Sequence, residues 1–416
     1  MVKRWISTQI VLENFFGNSW SEDIFLKKKL SLAKKSLDLD SLIIWPDRDK
    51  KNLSKVLKFC TDLKIKTYLW YPLLSDIPTF KIKKGQAVET YNGLLGYGIN
   101  GIWEKLGQVG EDFLFLCPND QKNINRIFFH FQRQISEECF DGVFFDRIRF
   151  PSPANGLETI FSCFCQWCQK KYFVDYQGNL KDFQKQIGNY FREFKVPHKN
   201  HCPNGTCLTD ILNWENFGKF YDFKKKSIYQ LIKMFAEEAK KRGMLVSLDL
   251  FSPSLAPIVS QDYRLLASIC DWIKPMFYCH TNGPAGIPLE LFCLIKGLIN
   301  SNYSLKEEEL MEEMSQMLGV QLPKNINSLL KNGVPEEVIY FEWQKIKDYN
   351  LGKDSKIYAG IEAVQITGIC QIDKKILERY LNIIMDLDLD GIVLSWNLLQ
   401  IPDENIIFIG NLLLNQ

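Results

Sequence analysis

The sequence predicts an α/β protein, a (β/α)8 TIM barrel with long insertions after strands three, four and six. Three observations predict it. Eight short apolar stretches recur along the chain, and helical patterns separate most of them. No Gly-rich phosphate loop follows the first stretch, which counts against an open, doubly wound sheet.

The candidate strands are Trp5 to Val11, Leu42 to Trp45, Thr67 to Tyr71, Val143 to Phe145, Leu245 to Phe251, Trp272 to Tyr278, Ile357 to Ile361 and Gly391 to Trp396. Continuous apolar runs of this length suit parallel strands covered on both faces. Apolar residues at three- and four-residue spacing predict helices over Asn52 to Leu63, Ile124 to Glu138, Ser227 to Arg242, Asp262 to Ile269 and Lys374 to Leu387. Asp262 is placed to cap its helix. Three connections are too long for bare loops. They give one domain over residues 1–416 with insertions at about 73–140, 151–244 and 279–356, the last carrying a Glu-rich helix near Glu307 to Met317.

Bulk composition narrows the function. The net charge is +2, from 51 basic and 49 acidic residues, and 46% of the chain is apolar. Nothing in this balance points to nucleic acid or an anionic membrane. No run reaches the ~18 apolar residues of a spanning helix, and the first residues lack a leader's apolar core, so the expected location is cytoplasmic. Twelve cysteines in that setting read as reduced core residues or metal ligands.

Cys163-Phe164-Cys165-Gln166-Trp167-Cys168 is the tightest motif. Three thiols within six residues can reach one tetrahedral ion, and Cys117, before Pro118, is the leading fourth ligand. Such a centre, a structural zinc, would pin the loop after strand four to the loop after strand three. A second cluster, His198, His201, Cys202 and Cys207, is the alternative source of a ligand, or a second metal site. The remaining cysteines lie on apolar backgrounds with no evident base, which argues against a cysteine nucleophile.

The strand ends carry the chemistry. Strand four runs Phe140-Asp141-Gly142-Val143-Phe144-Phe145-Asp146 and stops before Arg147-Ile148-Arg149-Phe150-Pro151. An ionisable residue where a buried strand ends is costly in a core and belongs in a cleft. Asp249 lies in strand five, Tyr278 ends strand six, Glu362 ends strand seven, and Trp396-Asn397 ends strand eight. Paired carboxylates across a barrel mouth are what glycosidic bond cleavage requires, and aromatic faces suit sugar rings. Asp146, Glu362 and Asp249 are the candidate catalytic residues. Trp70, Arg149, Tyr278, Trp396 and Asn397 are the candidate substrate contacts, for an oligosaccharide or glycoside. A salt bridge from Asp146 to Arg147 or Arg149 is the structural alternative.

These residues resemble glycoside hydrolases with (β/α)8 barrels and carboxylates on strands four and seven. That resemblance implies an acid/base at Asp146 and a nucleophile at Glu362. The pattern Cys117, Cys163, Cys165 and Cys168 looks like the zinc site of family 42 β-galactosidases. Phe144-Phe145-Asp146-Arg147-Ile148-Arg149-Phe150-Pro151 is similar to a Phe-Asp-x-x-Arg-aromatic-Pro signature of bacterial glycosidase-like barrels. Where family 42 has Asn-Glu at the end of strand four, this chain has Phe145-Asp146. That departure leaves a second assignment open, Asp146 as nucleophile with Asp249 as partner. Two other classes stay in view: a non-catalytic carbohydrate-binding barrel, and a metallohydrolase built on His198, His201 and Cys202.

Overall fold

A computed structural model describes residues 4–12, 20–46, 50–78, 82–83, 86–93, 114–193, 218–301, 305–352 and 355–414. His198, His201, Cys202 and Cys207 lie outside the described residues.

The strands are β1 (Trp5–Val11), β2 (Ser41–Trp45), β3 (Lys66–Pro72), β4 (Gly142–Asp146), β5 (Leu245–Phe251), β6 (Trp272–Met276) and β7 (Lys356–Glu362). A two-stranded hairpin follows, β8 (Gln365–Ile366) and β9 (Cys370–Gln371), and then β10 (Gly391–Ser395). Eight of them close a parallel barrel in the order β1-β10-β7-β6-β5-β4-β3-β2. The predicted (β/α)8 class is therefore the observed one. Between β4 and β5 lie helices at Leu157–Ile160, Gln166–Tyr176, Leu180–Glu193 and Gly218–Lys241. Between β6 and β7 lie Ile287–Ser301, Glu307–Leu318, Ile326–Asn332 and Val338–Asp348. No described helix is long and apolar enough to cross a membrane.

Alternation along each strand sorts two cores. In β4, Val143 and Phe145 pack outward against the helices, while Phe144 joins an inner cluster with Ile43, Tyr68, Trp70, Trp272, Tyr358 and Val393. Trp272 stacks on Tyr358 at 4.6 Å between ring centroids. Glycine makes room for this aromatic filling. A Cβ on Gly142 would sit 2.4 Å from the Tyr68 ring. A Cβ on Gly360 would sit 2.4 Å from the Lys274 side chain, so β7 is bare where β6 points a long cation inward.

The base of the barrel is stitched by four aspartates. Asp40, Asp141, Asp271 and Asp390 each stand immediately before β2, β4, β6 and β10. Each side chain accepts a backbone N–H from the preceding barrel strand: Ile6, Thr67, Val246 and Ile357, at 2.7–2.8 Å. Each backbone carbonyl accepts from the following strand: Lys66, Leu245, Lys356 and Trp5, at 2.9–3.3 Å. One aspartate thus spans three strands, and four of them complete the ring.

Candidate active site

The same alternation that turns Phe144 inward turns Asp146 inward, one layer higher at the C-terminal end of β4. The parallel register pairs Phe145 with Leu248, so Asp146 comes beside Asp249 of β5, and Asp249 is itself paired with Lys274 of β6. A cavity of about 420 Å³ opens at this rim. Its walls include Trp45, Trp70, Tyr278 and Trp396, and Asp146 and Asp249 both line it.

The two carboxylates meet different surroundings. Asp146 accepts from Trp70 Nε1 at 3.0 Å and from the backbone N–H of Arg147 at 2.5 Å. Arg147 adopts a left-handed backbone (φ 54°), and its guanidinium pairs with Asp76 at 3.1 Å and sits 3.7 Å from Asp146. The salt bridge weighed as the structural alternative for Asp146 is thus present, with Arg147, and the carboxylate still lines the cavity wall. Asp249 is 4% exposed. One oxygen meets Lys274 Nζ at 3.1 Å, and the other has no described partner. Burial pushes Asp249 up to about 7; Lys274 pulls it down and Asp146 pushes it further up, with burial the largest effect. Lys274 is wholly buried and donates also to Tyr278 Oη at 2.7 Å and Gln9 Oε1 at 3.1 Å. Burial lowers its proton affinity, and Asp249 partly restores it.

Glu362 is not brought to this cavity, which corrects its expected place opposite Asp146. Its carboxylate is fully buried and accepts from the backbone N–H groups of Cys279 at 3.2 Å and His280 at 2.8 Å, and from the Tyr380 hydroxyl. Those donors belong to the loop after β6 and to the helix Lys374–Asp386. The carboxylate satisfies buried backbone donors, which would otherwise cost about 1–3 kcal/mol each.

The substrate-contact candidates do converge. Trp70, Arg149, Tyr278, Trp396 and Asn397 all line the cavity. Tyr278 and Trp396 lie 6.3 Å apart between ring centroids. Asn397 has a structural task as well: its side-chain oxygen accepts from Leu399 N at 3.3 Å and caps a short 3-10 turn. Sequence reading missed Lys274, Gln9 and Trp45. Lys274 had a signal: a lysine inside the run Trp272-Ile273-Lys274-Pro275-Met276 shares the inward parity of Trp272.

Apart from the cavity lining, Cys117, Cys163, Cys165 and Cys168 gather with their sulfurs within 4.8 Å of one another. Cys117 and Cys168 are 3.3 Å apart, Cys117 and Cys165 3.6 Å. Backbone N–H groups of Glu89 and Asn119 and the Asn119 amide donate to the sulfurs, each at 3.3 Å. This four-cysteine cluster could hold a metal ion, and it joins the segment after β3 to the segment after β4.

No family model matches the chain, and no curated protein matches its sequence. Among solved structures, the chain is similar to the glycoside hydrolase domain of PgaB (BpsB) from Bordetella bronchiseptica. The identity is 12%, over 98% of this chain and 95% of that one, with a TM-score of 0.51. It is also similar to catalytic domain 2 of a Group II chitinase from Ostrinia furnacalis, with 10% identity over 99% and 97% of the two chains and a TM-score of 0.46. At these identities the first likeness is one of fold, and the second is too distant to add to it.

Proposed function

We propose that the cleft hydrolyses a glycosidic bond, with Asp249 as proton donor and Asp146 as its carboxylate partner. One observation carries this: two carboxylates share a cavity wall on neighbouring strands, in surroundings that separate their roles. Asp249, raised to about 7 by burial, keeps a proton available near neutral pH. Asp146 is met by two N–H donors and a guanidinium, partners for a charged carboxylate.

Neighbouring strands lie about 4.8 Å apart, which favours the close carboxylate spacing of double displacement (about 5–5.5 Å) over the wider spacing of inversion. In the first step an Asp146 oxygen bonds to the anomeric carbon, the glycosidic C–O bond breaks, and the leaving oxygen takes the Asp249 proton. In the second, Asp249 takes a proton from water, whose oxygen bonds to the anomeric carbon and frees Asp146. The indole and phenol rings of Trp45, Trp70, Tyr278 and Trp396 offer faces to sugar rings.

The four cysteines suit a structural zinc centre, the role expected of them from the sequence. A tetrahedron with Zn–S near 2.3 Å has sulfur–sulfur edges of about 3.8 Å, close to the spacing here, and thiolates are its preferred donors. Hydrogen bonds from neighbouring thiols pull Cys165 down, while burial pushes Cys117 and Cys168 up. The zinc would tie the two loops together, with all four ligand positions filled by protein.

The test is release of reducing ends from a panel of oligosaccharides. Asp146→Asn and Asp249→Asn should each lower it by at least about 100-fold. Unchanged release in both variants would remove the assignment. Tight binding without any release would instead make this a carbohydrate-binding barrel.

A further inference from the structure

The two arginines of Asp146-Arg147-Ile148-Arg149 are treated differently. Arg147 is neutralised by Asp76 and Asp146. Arg149 is not. Its guanidinium is held between the faces of Phe115 and Phe251, at 4.4 and 4.6 Å from the ring centroids. One of its N–H groups donates to the Phe150 carbonyl at 3.1 Å. A guanidinium has five such donors, so most of its edge is uncommitted.

No described carboxylate makes an ion pair with Arg149. Glu290, the nearest influence in charge terms, is committed to Ser152 Oγ, Ala154 N and Ala285 N at 2.8, 2.9 and 3.0 Å. Yet Arg149 is 4% exposed and lines the cavity. Burial lowers it only to about 10, so it is a cation at neutral pH. A desolvated cation with its faces covered and its edge free attracts an anion in the plane of that edge.

We infer that Arg149 forms a subsite for an anionic group on the sugar chain. The group is a sugar carboxylate, a sulfate ester or a phosphate ester, all of which offer oxygens to a guanidinium edge. The inference rests on the cleft being a saccharide site, and it adds that the saccharide is acidic.

The experiment uses the full chain carrying Asp146→Asn, on an array of matched neutral, carboxylate-, sulfate- and phosphate-bearing oligosaccharides. Hits are followed by calorimetry. Acidic members should bind at least about tenfold tighter than their neutral counterparts. The preference should weaken with added salt. It should vanish in Arg149→Met and survive in part in Arg149→Lys, each checked for an intact melting transition. The acid type that carries the preference names the substituent. Equal binding of neutral and acidic members, no binding of any acidic member, or a preference indifferent to both Arg149 substitutions would overturn the inference. Should Arg149→Met not fold, salt dependence and Arg149→Lys still decide. Hydrolysis is scored separately on the unsubstituted chain. Turnover of neutral glycans with Arg149 indifferent removes the acidic subsite alone; acidic binding without turnover removes the hydrolase alone.

Discussion

Replacing Lys274 by Met tests the proton logic of the cleft directly. Lys274 Nζ lies 3.1 Å from Asp249, with both side chains buried. At that distance two unit charges interact by about 5 kcal/mol with an effective dielectric of about 20, and by about 1.3 kcal/mol with that of water. At 1.36 kcal/mol per pH unit these limits are about four units and about one unit. The cation lowers the proton affinity of Asp249, so removing it raises that affinity. If Asp249 donates the proton, the alkaline limb of kcat/KM against pH lies near 7 in the unsubstituted chain. It should rise by at least about one unit in Lys274→Met. Tyr278→Phe removes the neighbouring hydroxyl without removing a charge and should move the limb much less. Titration of the protonated-carboxyl stretch by infrared spectroscopy follows the same group without substrate. The sign for stability is fixed too. Asp249 binds its proton more tightly in the folded chain than in the unfolded one. Its contribution is therefore present at low pH and lost as pH rises from the unfolded value through its folded one, over a wider pH range in the variant. A limb that stays near 7 in Lys274→Met would refute Asp249 as the donor.

Glu362→Ala should cost about 3 kcal/mol of stability by stranding the His280 N–H and Tyr380 hydroxyl donors, the Cys279 N–H keeping the Tyr380 oxygen as acceptor, while turnover per folded molecule stays within a few-fold; denaturant melts beside activity read both. Cys168→Ser should abolish stoichiometric metal, measured by elemental analysis, and lower the melting temperature, with activity lost in step with unfolding. Asp141→Ala should cost about 1–3 kcal/mol by freeing the Thr67 N–H at the barrel base, with the pH profile of the cleft unmoved.

Sequence reading reached the barrel because parallel strands buried on both faces leave apolar runs of strand length, and the Asp262 cap because capping is local: its side chain does accept from Arg264 N at 3.0 Å and Leu265 N at 3.2 Å. It did not reach Ile287–Ser301. Residues 287–295 of that helix are all buried, so it carries no polar face and no clear 3.6-residue period. Asp146 was legible because a strand end is a local feature. Glu362 shares that feature, but its partners arrive from Cys279, His280 and Tyr380, and no pattern around residue 362 announces them. The pairing of Asp249 with Lys274 needed strand register, which the sequence does not print. The base aspartates escaped as a repeat because 101, 130 and 119 positions separate them, although each stands in the same place before its strand.

That aspartate ring has a consequence for assembly. Asp40 and Asp271 connect strands whose nearest partners lie a few tens of residues away, but the last link joins the Asp390 carbonyl to the Trp5 N–H across almost the whole chain. Closing so long a loop is slow compared with local pairing. Until it closes, β1 and β10 present two open parallel edges, each ready to accept a strand from another molecule. The seam between them is therefore where a growing barrel is most exposed to mispairing, and refolding yield should fall with protein concentration until that seam is shut.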